Sequence, residues 1–224
     1  MRYILLTISA FILSACLSID AKVNIAEDGS VKTDMVMIVS QDMYELINVD
    51  GGQNYCINQG ETLSKVDRGY ACTTTSTSSV DDMLAGRFGF DIDPSNQDAA
   101  STPITVTQPE AGVLEIIVDL SPMMEDDPQQ AEMQSAEMKA MVKAAMAGHA
   151  MTYSFSGLNV IETSGQTSAD GRTASLTIPM ADFIDKTAPS EFRTVIRYQE
   201  GGILGMITGT IKGWLNAILN LFSF

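Results

Sequence analysis

Apolar and polar residues alternate from Ile19 to Ile25, with Ile19, Ala21, Val23 and Ile25 on one face and Asp20, Lys22 and Asn24 on the other. That period of two belongs to a strand with one buried face. Glu27-Asp28-Gly29 turns the chain, and Val31, Met35, Met37 and Val39 resume the period, which predicts a hairpin through Ser40. Gln41 to Asn48 follows as a short helix capped by Ser40 and ending before Gly51-Gly52. From Gln53 to Ser79 the chain is polar, with a threonine and serine run from Thr73, and a loop is expected. Ser79 caps a second short helix, Val80 to Ala85, and Arg87 to Ile92 reads as a strand. Further strands are predicted at Ile104 to Val106 and Val113 to Leu120. In the latter, Leu114, Ile116, Ile117 and Val118 form a nearly continuous apolar run, as in a strand buried on both faces.

The strongest helix signal begins at Asp127-Pro128. Asp127 can cap, Pro128 suits the first helical position, Gln130 completes a capping box, and Gly148 stops the helix after Ala147. Ala136, Ala140, Ala144 and Ala147 make a small-residue face suited to lying close on a sheet, while Met138, Val142 and Met146 point elsewhere. Strands then recur at Ala150 to Phe155, Leu158 to Glu162 and, after a turn at Ser168-Ala169-Asp170-Gly171, Ala174 to Ile178. The expected class is α+β: an antiparallel sheet of hairpins with one main Ala/Met-rich helix, 128–147, packed on it, plus a C-terminal hydrophobic helix.

Both extremities are apolar. Arg2 and the run Ile4 to Leu13 precede Leu13-Ser14-Ala15-Cys16, and that run is shorter than the eighteen or so residues of a spanning helix. This is the pattern of a bacterial lipoprotein signal: residues 1–15 are removed and the Cys16 thiol carries a diacylglyceryl group, with palmitate-type chains entering the membrane. Residues 16–199 are then the ectodomain. In 201–224, Gly201, Gly205, Gly209 and Gly213 recur every fourth position, a strip that admits another helix at close range. Thr208, Lys212, Asn216 and Asn220 form a polar row beside it. Residues 203–222 are long enough to span, yet Lys212 would then lie near the bilayer centre at a cost of about 3 kcal/mol. Three placements stay open: on the membrane surface or self-associated, across the bilayer, or packed on the domain.

Acylation of Cys16 leaves Cys56 and Cys72 as one pair, expected as a disulfide in an oxidising envelope compartment. A metal-binding thiol pair is the alternative, and it lacks a nearby histidine or third cysteine. Loss of Arg2 changes thirteen basic residues to twelve against twenty-eight acidic ones, a net charge of -16, which repels phosphate backbones and excludes nucleic acid as a partner. No cofactor, resident metal or enzyme activity is expected. His149 is the only histidine, placed at a helix end where a capping role fits. Asp91, Asp93, Asn96 and Asp98 lack the glycine and terminal glutamate of a calcium loop. Glu125-Asp126-Asp127 suits a helix N-terminus. No nucleophile elbow, phosphate loop or dinucleotide fingerprint occurs.

The segment Met151-Thr152-Tyr153-Ser154-Phe155-Ser156-Gly157, with Val160, Glu162, Gly165 and Asp170-Gly171-Arg172-Thr173, resembles the LppM-like lipoprotein family, as does the strand, Glu-Asp-Gly turn and strand after Cys16. The resemblance implies an envelope lipoprotein with an antiparallel sheet backed by helix, often followed by a C-terminal membrane segment, and no assigned enzyme activity. The chain departs from it in having Leu176 where an aromatic is usual and in the Cys56 to Cys72 insertion. A membrane-anchored, non-enzymatic lipoprotein is expected, facing the periplasm or cell exterior and binding or organising lipid or protein partners. Its contacts are membrane lipid, through acylated Cys16 and the C-terminal helix, and a lipid ligand in a groove between sheet and helix. The competing class is a structural lipoprotein, a homo-oligomer built through the glycine strip. Leu17 in place of aspartate after the anchor favours the outer membrane where there are two.

Overall fold

The computed structural model describes residues 17–41, 44–45, 56, 61–67, 69–87, 104–124 and 136–199. Among these, β1 (Leu17–Ile25), β2 (Ser30–Val39), β3 (Thr62–Val66), β4 (Gly69–Ser79), β7 (Ala150–Ser156), β9 (Gln166–Thr167) and β10 (Thr173–Pro179) form one sheet in the order β3-β4-β2-β1-β7-β10-β9. A second sheet runs β5-β6-β11-β8, from β5 (Ile104–Glu110), β6 (Val113–Asp119), β8 (Asn159–Thr163) and β11 (Glu191–Arg197). All pairings are antiparallel except that of β1 with β7. The helices are α1 (Val80–Leu84), α2 (Ala136–Ala145) and α3 (Met180–Asp185), with a 3-10 turn at Ser121–Met124.

Alternation decides which faces meet. Ala21, Val23 and Ile25 of β1, Val31 and Met35 of β2, and Met151, Tyr153 and Phe155 of β7 share one core with Leu114, Ile116 and Val118 of β6 and Phe192 and Ile196 of β11. The Phe155 and Phe192 rings meet between the sheets with centroids 5.8 Å apart. The opposite face of the larger sheet is polar: Lys22 of β1 stands between Asp34 of β2 and Ser154 of β7, with Thr75 of β4 beyond Asp34. The Asp34 carboxylate accepts from the Thr75 hydroxyl at 2.6 Å.

Glycines allow the chain to change sheets. Gly157 leads from β7 in the large sheet to β8 in the small one, and a Cβ there would lie 2.5 Å from Ile196 Cγ2 and 2.9 Å from the Arg197 carbonyl oxygen. Gly165 leads back to β9, and a Cβ would meet the Ser175 carbonyl oxygen at 2.3 Å. The two motif glycines are therefore needed for close approach of backbones between layers.

The first hairpin, the Ser79-capped helix and the strands around 113–178 agree with expectation. The polar stretch before Ser79 differs: it contains β3 and β4, β4 pairs along the whole length of β2, and the threonine and serine run lies opposite its Ser30 to Val36 part. β-branched threonine suits a strand whose outer face is wet, and pairing supplies what the missing apolar period does not. β6 is covered on one face, since Leu114, Ile116, Val118 and Leu120 are buried while Glu115, Ile117 and Asp119 are half-buried. The Ala/Met helix also differs. Its described part is α2, where Ala140 and Ala144 are exposed and Met138 and Val142 turn inward, near α3. The larger side chains bury more area than an alanine face would, so they take the protein side.

α1 carries a reciprocal cap. The Ser79 hydroxyl accepts from the Asp82 backbone N–H at 3.2 Å, and the Asp82 carboxylate accepts from the Ser79 N–H at 3.1 Å and from Arg87 Nη2 at 2.7 Å. The Ser79 hydrogen bond, followed by that of Arg87, holds the Asp82 carboxyl below its ordinary value of 3.8. Because the folded value is the lower one, this contribution is complete above the unfolded value and lost as pH falls through the folded one. Asp82→Asn is expected to flatten the decline of the thermal midpoint as pH falls below about 4, read by circular dichroism.

Candidate functional site

The sandwich has two unlike ends. At the first, Leu17 opens β1 opposite Val39, Val39 stands opposite Tyr70, and Ala150 opens β7 opposite Pro179. α3 follows Pro179 directly, α2 runs through Met146 and His149 into β7, and the 3-10 turn follows β6 where Asp119 faces Glu191. All described helical pieces but α1 thus gather around the start of β1 and β7. Met123, Met124, Met180 and Phe183 pack there against the core, half-buried, and Met141 is 57% exposed. Lys143 of α2 pairs with Asp185 of α3, and this hydrogen bond lowers the Asp185 pKa.

His149 ties this end together. Its Nδ1 lies 3.1 Å from the Ser18 hydroxyl, its backbone N–H donates to the Met146 carbonyl, and its own carbonyl accepts from Met180 at 3.0 Å. The expected helix-end role is therefore joined to a second one, fixing the start of β1 against the loop before β7. Tyr44 stacks on Tyr70 with centroids 3.7 Å apart. Close to Tyr70 on β4, Cys72 is joined to Cys56 in a disulfide with a Cα separation of 5.6 Å. Glu61 lies beside it, 3.4 Å from Cys72 Sγ.

The second end is built of tight turns. Gly29, Gly112 and Gly171 all have positive φ there, and Asp28, Asp82, Glu110 and Asp170 supply negative charge, with Arg197 Nη2 donating to Glu110 at 3.0 Å. Tyr198 donates its N–H to the Gly112 carbonyl at 2.9 Å, and Arg197 accepts from Leu158 at 2.8 Å, so β11 delivers the chain to this end. Burial raises the Tyr198 pKa, and its hydroxyl accepts from Gln108 Nε2 at 3.1 Å.

Cys16, one residue before β1, lies outside the described residues, as do Gly201, Gly205, Gly209 and Gly213, residues 128–135 of the expected helix, Glu125-Asp126-Asp127 and the acidic stretch 91–98. No described helix is long and apolar enough to cross a membrane. Phe155, Phe192, Leu114, Ile116, Leu120 and Ile178 fill the interior between the sheets, and much of the helix expected to form a groove with the sheet, 128–135, lies outside the described residues. Sequence reasoning missed Glu61, α3 and β11. The last had a legible signal in the alternation of Phe192, Thr194, Ile196 and Tyr198.

The described chain is an α+β protein of two facing, largely antiparallel sheets, with helices gathered where β1 begins. Among solved structures it is similar to the NMR structure of the folded domain of the Mycobacterium tuberculosis LppM protein, at 14% identity and a TM-score of 0.44, over 83% of this chain and 92% of that one. That is the family whose strand and turn motifs it resembles. No protein-family model and no curated protein matches the chain.

Proposed function

We propose that the protein is a non-enzymatic envelope lipoprotein, held at one membrane by acyl chains on Cys16 and by residues 203–222, where it binds or organises lipid or protein partners. What supports this reading is a single feature of the topology: the chain enters the described domain at the helical end and leaves it at the opposite, turn-built end. β1 has nine residues, about 30 Å of strand. The four peptide steps from Gln199 to Ile203 reach at most about 14 Å. Both anchors can share a bilayer only when the strands lie along its surface.

A domain lying flat presents a long side to head groups and neighbouring proteins, which suits a surface organiser. At the helical end, the methionines beside the Cys16 anchor supply polarisable, adaptable contact for lipid. The net charge of -16 calls for such apolar contact, because it opposes approach to anionic head groups. The folded part faces the periplasm or cell exterior, at the outer membrane where there are two.

Polarised infrared spectra of the full mature chain on a supported bilayer test this. The amide dichroism is expected to place the strand axis near the membrane plane, and truncation before Gly201 is expected to raise it towards the normal. Upright strands in the full chain would refute two-point anchoring. A chain that never adsorbs to the bilayer would refute the lipoprotein reading itself.

A further inference from the structure

Two sulfur ligands and a carboxylate converge beside β4. One ligand atom from each of Cys56, Glu61 and Cys72 falls in a group whose members all lie within 4.8 Å of one another, and Glu61 Oε2 is 3.4 Å from Cys72 Sγ. Cys72 is 1% exposed and fixed in a central register, opposite Met37 on β2 and Leu63 on β3. Cys56 and Glu61 are half-buried, so the group is reachable from one side. The cysteine spacing alone offered two ligands, and the third comes from the strand pairing that brings Glu61, next to the start of β3, alongside Cys72.

We propose that the reduced Cys56–Cys72 pair, completed by Glu61, binds a borderline-soft divalent cation, zinc being the natural fit, and that the disulfide is a latch on this site. Cysteine thiolates and glutamate oxygens are both zinc ligands, and three protein ligands with water in the fourth position is the arrangement of open zinc sites. Two sulfurs each about 2.3 Å from a tetrahedral metal stand about 3.8 Å apart, a separation that opening the disulfide permits. Reduction adds two electrons and two protons to the S–S bond and yields two thiols. A dithiol reductant supplies both and becomes a disulfide itself. Metal binding then displaces the two thiol protons, and the dication offsets the charge of two thiolates and a carboxylate in close contact. Oxidation by a disulfide oxidant, which takes up the two electrons with two protons from water and becomes a dithiol, reforms the S–S bond and expels the cation.

The test uses the full chain in detergent. The protein is reduced with a water-soluble phosphine, which takes oxygen from water to become its oxide, then freed of reductant without air and titrated with cobalt(II). A sulfur-to-cobalt charge-transfer band with the visible bands of tetrahedral cobalt is expected at one metal per chain, bleached by zinc, and absent from the oxidised protein. Glu61→Gln is expected to weaken binding at least about tenfold, as loss of even an outer-shell partner does. Glu61→Asp, which keeps a carboxylate, is expected to retain the spectrum. No sulfur-to-cobalt band in the reduced chain, or an unchanged affinity in Glu61→Gln, would overturn the proposal. Reformation of the Cys56–Cys72 disulfide in each variant, read by mass spectrometry, shows whether the sulfurs are still adjacent; a variant that binds no cobalt although the disulfide reforms supports the carboxylate as ligand.

Discussion

Phe192→Ala is expected to destabilise the folded protein by about 3–5 kcal/mol, the range for removing a large aromatic from a filled interior. Phe192 is 0% exposed and sits on β11, between β6 and β8. Its ring faces Phe155 of the other sheet at 5.8 Å, and its Cε2 would lie 2.9 Å from a Cβ at Gly165. Alanine would leave the two layers without contact at that point, and neither can close the gap because each is held by its own ladder of hydrogen bonds. Urea unfolding of the oxidised protein reads the effect as a lowered midpoint at similar slope. Ile161→Ala, at a side chain 48% exposed, is the control and should stay within about 0.5 kcal/mol. A loss below about 1 kcal/mol at Phe192 would mean that the sheets do not meet there.

On the proposed reading, in which the Cys16 thiol is both the acyl acceptor and the mark for cleavage, Cys16→Ser is expected to abolish acylation and to leave residues 1–15 attached. Each buried methylene contributes about 0.8 kcal/mol, so on the proposed reading two or three acyl chains would dominate attachment. Combined with truncation before Gly201 and with exchange of residues 1–15 for a leader that is cleaved without acylation, the substitution should move the chain from the membrane pellet to the soluble fraction, whereas Cys16→Ser alone or the truncation alone should leave it associated with membrane. Mass spectrometry of the N-terminal peptide and fractionation check both halves. An unmodified residue 16 in the unaltered protein would sink the acylation, and a doubly altered chain still in the pellet would point to attachment through the folded domain.

The hairpin of β1 and β2 was legible because its polar and apolar residues alternate on a strand with one wet face. The Ser79 cap was legible because its chemistry is local, a hydroxyl and a carboxylate three residues apart satisfying each other's backbone. β4 was not, since a row of threonine and serine carries no period of its own and becomes a strand only when β2 offers its edge. The Ala/Met helix was read with its faces exchanged: alanine spacing permits close packing, but the inward place went to Met138 and Val142. The candidate site divided in the same way. The cysteine pair followed from counting, while Glu61 beside it depends on the register of β3 with β4.

The sequence by itself determined the local matters: the strands of period two, the caps, the turns at glycine, the pairing of two cysteines, the strong negative charge, and the apolar character of both extremities. Each depends on side chains within a few residues of one another or on totals along the chain. Only the tertiary structure decided which strands share a sheet, where Gly157 and Gly165 carry the chain between layers, that β1 and β7 run parallel, and that entry and exit lie at opposite ends. Those outcomes depend on burying two apolar faces against each other while every ladder keeps its hydrogen bonds, a condition on residues more than a hundred positions apart that no local pattern records.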